Sequence, residues 1–350
     1  MTTNPLVLLQ EQGQSVWLDS IRRGHIRSGA LQKLIDEDGI RGETSNPTIF
    51  EKAITGSRDY ADDIAVLAAE GKNATEIYER LATDDVRMAA DVFSPLYEST
   101  QAADGYISIE VSPHLAFDTA GTIAEARRLF KIVGRPNLMI KIPATPEGIP
   151  AIEQCLYEGM NVNVTLLFAV AAYEQVAWAF IRGVERRAAE GLPLGRIASV
   201  ASFFVSRIDT LADQLLEEKA KAETDPARAA RVLALRGELA IANARVAYAK
   251  FGEVFGSERF IRLAARGAHV QRPLWASTST KNPHYRDVVY VEELIGPDTV
   301  NTLPADTVEA FRDHGCVART VDADLSGAHR TIEEFESFGL TLDAVTSQVL

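Results

Sequence analysis

The chain has 350 residues, of which 46% are hydrophobic and 24% charged, ordinary values for a soluble globular protein. Its net charge of −13 argues against broad binding to nucleic acid or to an anionic membrane, but leaves room for an anionic metabolite, because a small phosphate site needs only one or two local cations. Two cysteines, Cys155 and Cys316, argue for a reducing compartment over a disulfide scaffold; with neither signal-peptide features nor an apolar run of transmembrane length, a cytoplasmic protein is expected.

Short runs rich in β-branched residues alternate with longer helical stretches. In chain order the runs are SVWLDSI, ending near Ile21, IRGETSN, ending at Asn46, GYISIEVS, ending near Ser112, and NLMIKIPAT, ending at Thr145. MNVNVTLLF to Phe168, RIASVASFFV to Val205, RPLWASTST to Thr280 and DVVYVEELI to Ile295 follow, giving eight expected strands. Between them, Ile123, Ala126, Leu129 and Phe130 fall at helical spacing, and GIPAIEQCLYEG closes on Gly159, a helix C-terminal signal. Residues 169–191 are amphipathic. Two or more helices are expected between Ile208 and Ala265, interrupted near Thr224, Asp225 and Pro226, and a helical insert between Thr48 and Ala103.

Strands alternating with helices imply parallel βαβ units, and eight of them favour a closed barrel. A dinucleotide-binding open sheet needs a glycine-rich turn after its first strand. Here that strand runs into Asp19, Ser20, Ile21 and Arg22. The expected architecture is therefore α/β: a single (β/α)8 barrel over residues 1–350 with extra helical inserts. No internal repeat or low-complexity segment interrupts it.

Strands wrapped by helices are buried on both faces and should read as continuous hydrophobics. These alternate instead. Ile107, Ile109 and Val111 oppose Ser108, Glu110 and Ser112; Leu138, Ile140 and Ile142 oppose Met139 and Lys141; Val162 and Val164 oppose Asn161, Asn163 and Thr165. Thr44 and Asn46 share a face, as do Ser202 and Phe204, and Ser277 and Ser279. The aliphatic face is expected against the helices. Asp19, Asn46, Glu110, Lys141, Asn163, Thr165 and Ser202 are expected to point into the lumen near the C-terminal strand ends, where barrels of this kind place their chemistry. Burying ionisable groups without partners costs several kcal/mol each, so such a set implies a paired network with a task.

Lys141 is the centre of that set. An apolar setting disfavours an ammonium ion, and a neutral amine can condense with a carbonyl. Taken alone it reads better as a strand-end lysine that snorkels to solvent; beside Glu110 and Asp19 the balance reverses, and it reads as a Schiff-base former with two candidate proton-transfer groups. Asn46, Asn163 and Ser202 suit the hydroxyls of a polyol, although Asn46 before Pro47 also fits turn chemistry. Thr165 could hold a catalytic water, or reflect β-propensity alone. Arg207, Arg272 and Lys281 are placed just after late strands, where barrels often bind phosphate. No two of the six histidines have metalloenzyme spacing, and both cysteines read as packing residues.

With these residues in view, the chain resembles the transaldolases from about Val16 to Gln348. The resemblance is carried by GETSNPTIFEKAI around Asn46, SIEVSP around Glu110, NLMIKIPATPEGIPAI around Lys141, NVNVTLLF around Asn163, SFFVSRID around Ser202, and LWASTSTKNPHY around Lys281. It implies a Schiff base on Lys141 and Asp19 as the base in carbon–carbon cleavage. It also implies that Glu110 acts through a water held by Thr165. Asn46, Asn163 and Ser202 would orient a dihydroxyacetone unit, Phe204 would line its pocket, and Arg207 would bind phosphate, with Ser277 in the same substrate-binding set. A second phosphate cation falls in the seventh-strand loop, where ASTSTK departs from shorter versions and leaves Lys281 and Arg272 both open. The implied substrates are phosphorylated ketoses and aldoses, with no cofactor and no metal. Sedoheptulose 7-phosphate would donate the three-carbon unit and glyceraldehyde 3-phosphate accept it, in the pentose phosphate pathway.

Members of the group usually continue past LTLDAVTSQVL with more helix, so a missing or fused C-terminal segment beyond residue 350 is an expectation, and with it a silenced site. The rival readings are an aldolase of the fructose-6-phosphate type, which releases free dihydroxyacetone, and a non-catalytic sugar-phosphate-binding barrel. No exposed apolar run marks a subunit interface, so the sequence leaves oligomeric state open.

Overall fold

The computed structural model describes residues 4–350. Helix α1 (Pro5–Glu11) leads into β1 (Gln14–Asp19), followed by α2 (Arg23–Arg27), α3 (Ala30–Asp38) and β2 (Ile40–Thr44). Helices α4 (Pro47–Thr55), α5 (Ala61–Ala69) and α6 (Ala74–Ser99) precede β3 (Tyr106–Glu110). Regular alternation follows through α7 (Thr119–Val133), β4 (Leu138–Pro143), α8 (Gly148–Glu158), β5 (Asn161–Leu167), α9 (Val170–Ala189) and β6 (Ser199–Phe204). Helices α10 (Ser206–Ala222), α11 (Pro226–Ala234), α12 (Leu239–Phe255) and α13 (Glu258–Ala264) then separate β6 from β7 (Arg272–Ala276). Helix α14 (Val289–Glu292), β8 (Thr299–Leu303), α15 (Ala305–His314), α16 (Leu325–Ser337) and α17 (Leu342–Val349) follow. Among the described residues no helix is long and apolar enough to cross a membrane.

Every strand pairs in parallel with its sequence neighbours, and β8 pairs with β1, so the sheet closes into a barrel. The alternation seen in the sequence becomes two separate apolar layers. Val16, Leu18, Ile107, Ile140, Ile142 and Val164 pack outward into the main core. Trp17, Tyr106, Met139, Val200, Leu274 and Val300 form a second cluster, which by the same alternation fills the lumen towards its N-terminal end. Burial of each large apolar side chain contributes about 1.5–3 kcal/mol. Gly42 faces this plug: a Cβ there would fall 2.6 Å from the Trp17 ring, so the indole fits only against glycine.

One strand differs from expectation. DVVYVEELI contains helix α14, and the eighth strand is Thr299–Leu303. Val288, Val291 and Ile295 are buried at spacings of three and four, a helical repeat that their β-branched composition disguised. The true strand, TVNTL, holds two threonines and an asparagine in place of an aliphatic run. Strand β7 is also shorter than expected. It stops at Ala276, because Ser277 turns out of the sheet at φ +57°.

The insert between β2 and β3 is fastened next to the end of β1. The buried Arg23 guanidinium donates from Nε to Asp85 at 2.6 Å, contacts Asp63, and lies 4.4 Å over the Tyr60 ring. Tyr60 donates its hydroxyl to the other Asp85 oxygen at 2.7 Å. Burial, with Asp85 nearby, pushes the Glu43 carboxyl well above the usual carboxylate range.

Candidate active site

The β3–β4–β5 register sets Glu110, Lys141 and Asn163 side by side. Lys141 is only 8% exposed. Its Nζ lies 3.4 Å from a Glu110 carboxylate oxygen and donates to the Ser45 carbonyl at 3.1 Å. The amine therefore does not sit in the apolar setting expected for it. The Ile140 and Ile142 side chains point outward to the helices, and the lumen gives Lys141 a carboxylate and a carbonyl.

Asn163 is fully buried, and both ends of its amide are held. Its Nδ2 donates to Ser108 Oγ at 3.1 Å, and its Oδ1 accepts from Ser202 Oγ at 2.7 Å. This chain of hydrogen bonds spans β3, β5 and β6 beside the lysine. A buried Thr165 follows on β5, and among the described residues its hydroxyl has no protein partner. Asp19 ends β1, where Oδ1 accepts from Thr44 Oγ1 at 2.8 Å. Thus Lys141 contacts one of the two expected acids, and the other is held by a neighbouring strand. Asn46 caps α4, its Oδ1 accepting from the Ile49 amide at 2.9 Å. Among the described residues its Nδ2 has no acceptor.

The insert reaches this end of the barrel. Tyr78 of α6, with Asn46, Phe50 and Glu110, lines a cavity of about 290 Å³. Burial, and the nearby Glu110 charge, push the Tyr78 hydroxyl up to about 12. Sequence reading missed Tyr78 and Ser45, and named Thr44 and Ser108 on the strand faces of Asn46 and Glu110 without giving either a role. Position on a lumen face was a usable signal for Thr44 and Ser108. Ser45 acts through its main chain, and Tyr78 arrives from a distant helix, so nothing local marked either.

Phe204 ends β6, its ring centroid 5.2 Å from that of Phe168, and the Arg207 guanidinium lies 5.0 Å from its centroid. Arg207 is exposed in the first turn of α10, and among the described residues no carboxylate pairs with it. Ser206 beside it shares a 2.9 Å hydroxyl–hydroxyl contact with Ser277, and its amide donates to the Ser277 carbonyl at 3.0 Å. Lys281, also exposed, donates to Ser279 at 2.7 Å. Two cations and a helix N-terminus of this kind suit phosphate.

Arg272 does not join them. It begins β7 rather than following it, so it stands at the N-terminal end of the barrel. There it donates to Ser15 at 2.9 Å and the Ala103 carbonyl at 2.8 Å, and pairs with Asp104 at 3.0 Å. Although burial opposes it, Arg272 and Arg41 hold the Asp104 carboxyl below its ordinary range. This cation closes the base of the barrel, which leaves Lys281 as the seventh-strand candidate for phosphate.

The family model described as Transaldolase/Fructose-6-phosphate aldolase matches residues 16–350. The chain is 50% identical to "Transaldolase" of Trichodesmium erythraeum, with 100% of this chain and 93% of that protein covered. It is 49% identical to "Transaldolase 2" of Nostoc punctiforme, covering 100% and 93%. It is 48% identical to "Transaldolase" of Acidothermus cellulolyticus, covering 98% and 90%. On the closed barrel, the lumenal lysine and these matches, the chain belongs to the transaldolase/fructose-6-phosphate aldolase family.

Proposed function

We propose that this protein is a transaldolase. It moves a dihydroxyacetone unit from sedoheptulose 7-phosphate to glyceraldehyde 3-phosphate, releasing erythrose 4-phosphate and forming fructose 6-phosphate. The observation that carries the reading is the Lys141 amine, almost enclosed in the lumen with Glu110 at 3.4 Å. In the neutral form that amine attacks the ketose carbonyl. Glu110, through a water held by Thr165, protonates the carbinolamine hydroxyl, which leaves as water to give the iminium ion. Asp19 then accepts the proton of the hydroxyl on the carbon β to the iminium; that carbon becomes the aldehyde of the released aldose as its bond to the α carbon breaks, and the iminium nitrogen takes up the electron pair. The acceptor aldehyde reverses these steps on the enamine. Asn163 and Ser202, with the Asn46 amide, orient the hydroxyls, Phe204 bounds the pocket, and Arg207, Ser277 and Lys281 take the phosphate. The cysteine usage supports a cytoplasmic location, and the net charge of −13 supports a protein without nucleic-acid or membrane partners.

A coupled assay of fructose 6-phosphate turnover, run with and without an acceptor aldose phosphate, tests the assignment. Transaldolase chemistry requires turnover that depends on the acceptor. Release of free dihydroxyacetone at a similar rate without acceptor would make the protein a lyase. Binding without turnover or a trappable adduct would make it a non-catalytic barrel.

A further inference from the structure

Helix α10 carries two carboxylates one turn apart, Asp209 and Asp213, on the face turned towards the segment after β7. Both are nearly buried, and neither pairs with a cation among the described residues. Asp209 accepts from the Ala240 amide at 2.7 Å and from the Tyr290 hydroxyl at 2.8 Å. Asp213 accepts from the Gly237 amide at 3.0 Å and from the Tyr285 hydroxyl at 2.5 Å. Each carboxylate thus spends one oxygen near the start of α12 and the other on a tyrosine of the segment between β7 and β8. The fit at Gly237 is specific. Its φ is +79°, and a Cβ there would fall 2.9 Å from the Tyr285 ring.

The same segment is joined to α10 at its other end by Ser277 and Ser206. Lys281 lies between the two attachments, and Arg207 lies in the first turn of the helix they grip. Ser206, Asp209, Thr210, Asp213, Lys281 and Tyr285 line a cavity of about 180 Å³ between helix and segment.

Resting on the transaldolase reading above, we propose that Tyr285 and Tyr290, through Asp213 and Asp209, are positioning residues for the substrate phosphate: they set Lys281 at a fixed distance from Arg207. A phosphate held by two cations gains most when their spacing is preset, because ordering an exposed lysine and its segment on binding costs entropy. Each tyrosine also occupies one oxygen of its carboxylate. Burial pushes the Asp209 carboxyl up to about 7, which limits the negative charge near a bound phosphate.

The test compares phosphorylated and unphosphorylated ligands on the full chain. Tyr285→Phe removes one hydroxyl and keeps the ring. Losing that hydrogen bond is expected to raise the KM for fructose 6-phosphate about fivefold, with kcat within about twofold. Borohydride trapping of unphosphorylated dihydroxyacetone on Lys141 should be unchanged. In a Lys281→Ala background the further effect of Tyr285→Phe should shrink below about twofold, because its route to the phosphate is gone. The double variant Tyr285→Phe/Tyr290→Phe should raise KM further; should it fail to fold, the single variant decides. An unmoved KM, or equal losses with both ligands, overturns the proposal while leaving the transaldolase reading intact. A wild-type protein that traps no dihydroxyacetone overturns both.

Discussion

Replacing Glu110 with glutamine probes the proton-transfer role directly. The amide keeps the side chain's length and still occupies the place 3.4 Å from the Lys141 amine, but it cannot donate and recover a proton during dehydration of the carbinolamine. Positioned general acid–base groups contribute about 10²–10⁴-fold, or about 3–5 kcal/mol of barrier. The Glu110 side chain is 20% exposed, so solvent replaces part of the shuttle, and the lower half of that range applies: a loss of about 10²–10³ in the rate of adduct formation. Rapid-quench borohydride trapping in a single turnover measures that step apart from binding and product release. Folding stability should move by no more than about 1 kcal/mol, because the pair is partly solvated. A rate loss below about threefold would refute the shuttle. A raised KM with unchanged kcat would make Glu110 a binding group instead.

Asp85→Ala leaves the buried Arg23 guanidinium without its one fully buried carboxylate partner and should cost about 3–5 kcal/mol in urea unfolding; a loss under about 1 kcal/mol would mean that Asp63 and water replace it. Lys281→Ala should raise the KM for sugar phosphates about tenfold, the loss of one charge-assisted contact, whereas Arg272→Met should leave KM alone and lower stability, and the reverse pattern would restore Arg272 to the phosphate site. The Asp209 carboxyl is raised from 3.8 to about 7 in the folded chain, so the native state binds this proton more tightly than the unfolded one. Its contribution to stability is complete below about pH 4 and is lost as pH rises through about 7. Urea midpoints measured across that window should fall less steeply for Asp209→Asn than for the wild type, and identical slopes would contradict the buried, raised carboxyl.

Much of the barrel was visible in the sequence because its strands break the usual rule for helix-wrapped sheets. Ser108 and Glu110 among Ile107, Ile109 and Val111, or Asn163 between valines, mark one face as lumenal without any knowledge of pairing. The eighth strand escaped because TVNTL has no aliphatic face to display, while the buried valines of α14 imitate one. Arg272 was misplaced for a different reason. A barrel has two ends, and a residue that begins a strand stands at the base however close in sequence it lies to the site. Register was also out of reach. That Glu110, Lys141 and Asn163 align across three strands follows from pairing, and the contact between Tyr78 and the Glu110 region follows from the packing of an inserted helix, neither of which leaves a local pattern.

Intact-mass analysis and peptide mapping after borohydride reduction in the presence of fructose 6-phosphate test the central claim most directly. A dihydroxyacetone adduct on the peptide containing Lys141, abolished in Lys141→Ala, is the predicted result. A reduced adduct on another lysine, or turnover that persists in Lys141→Ala, would contradict the account.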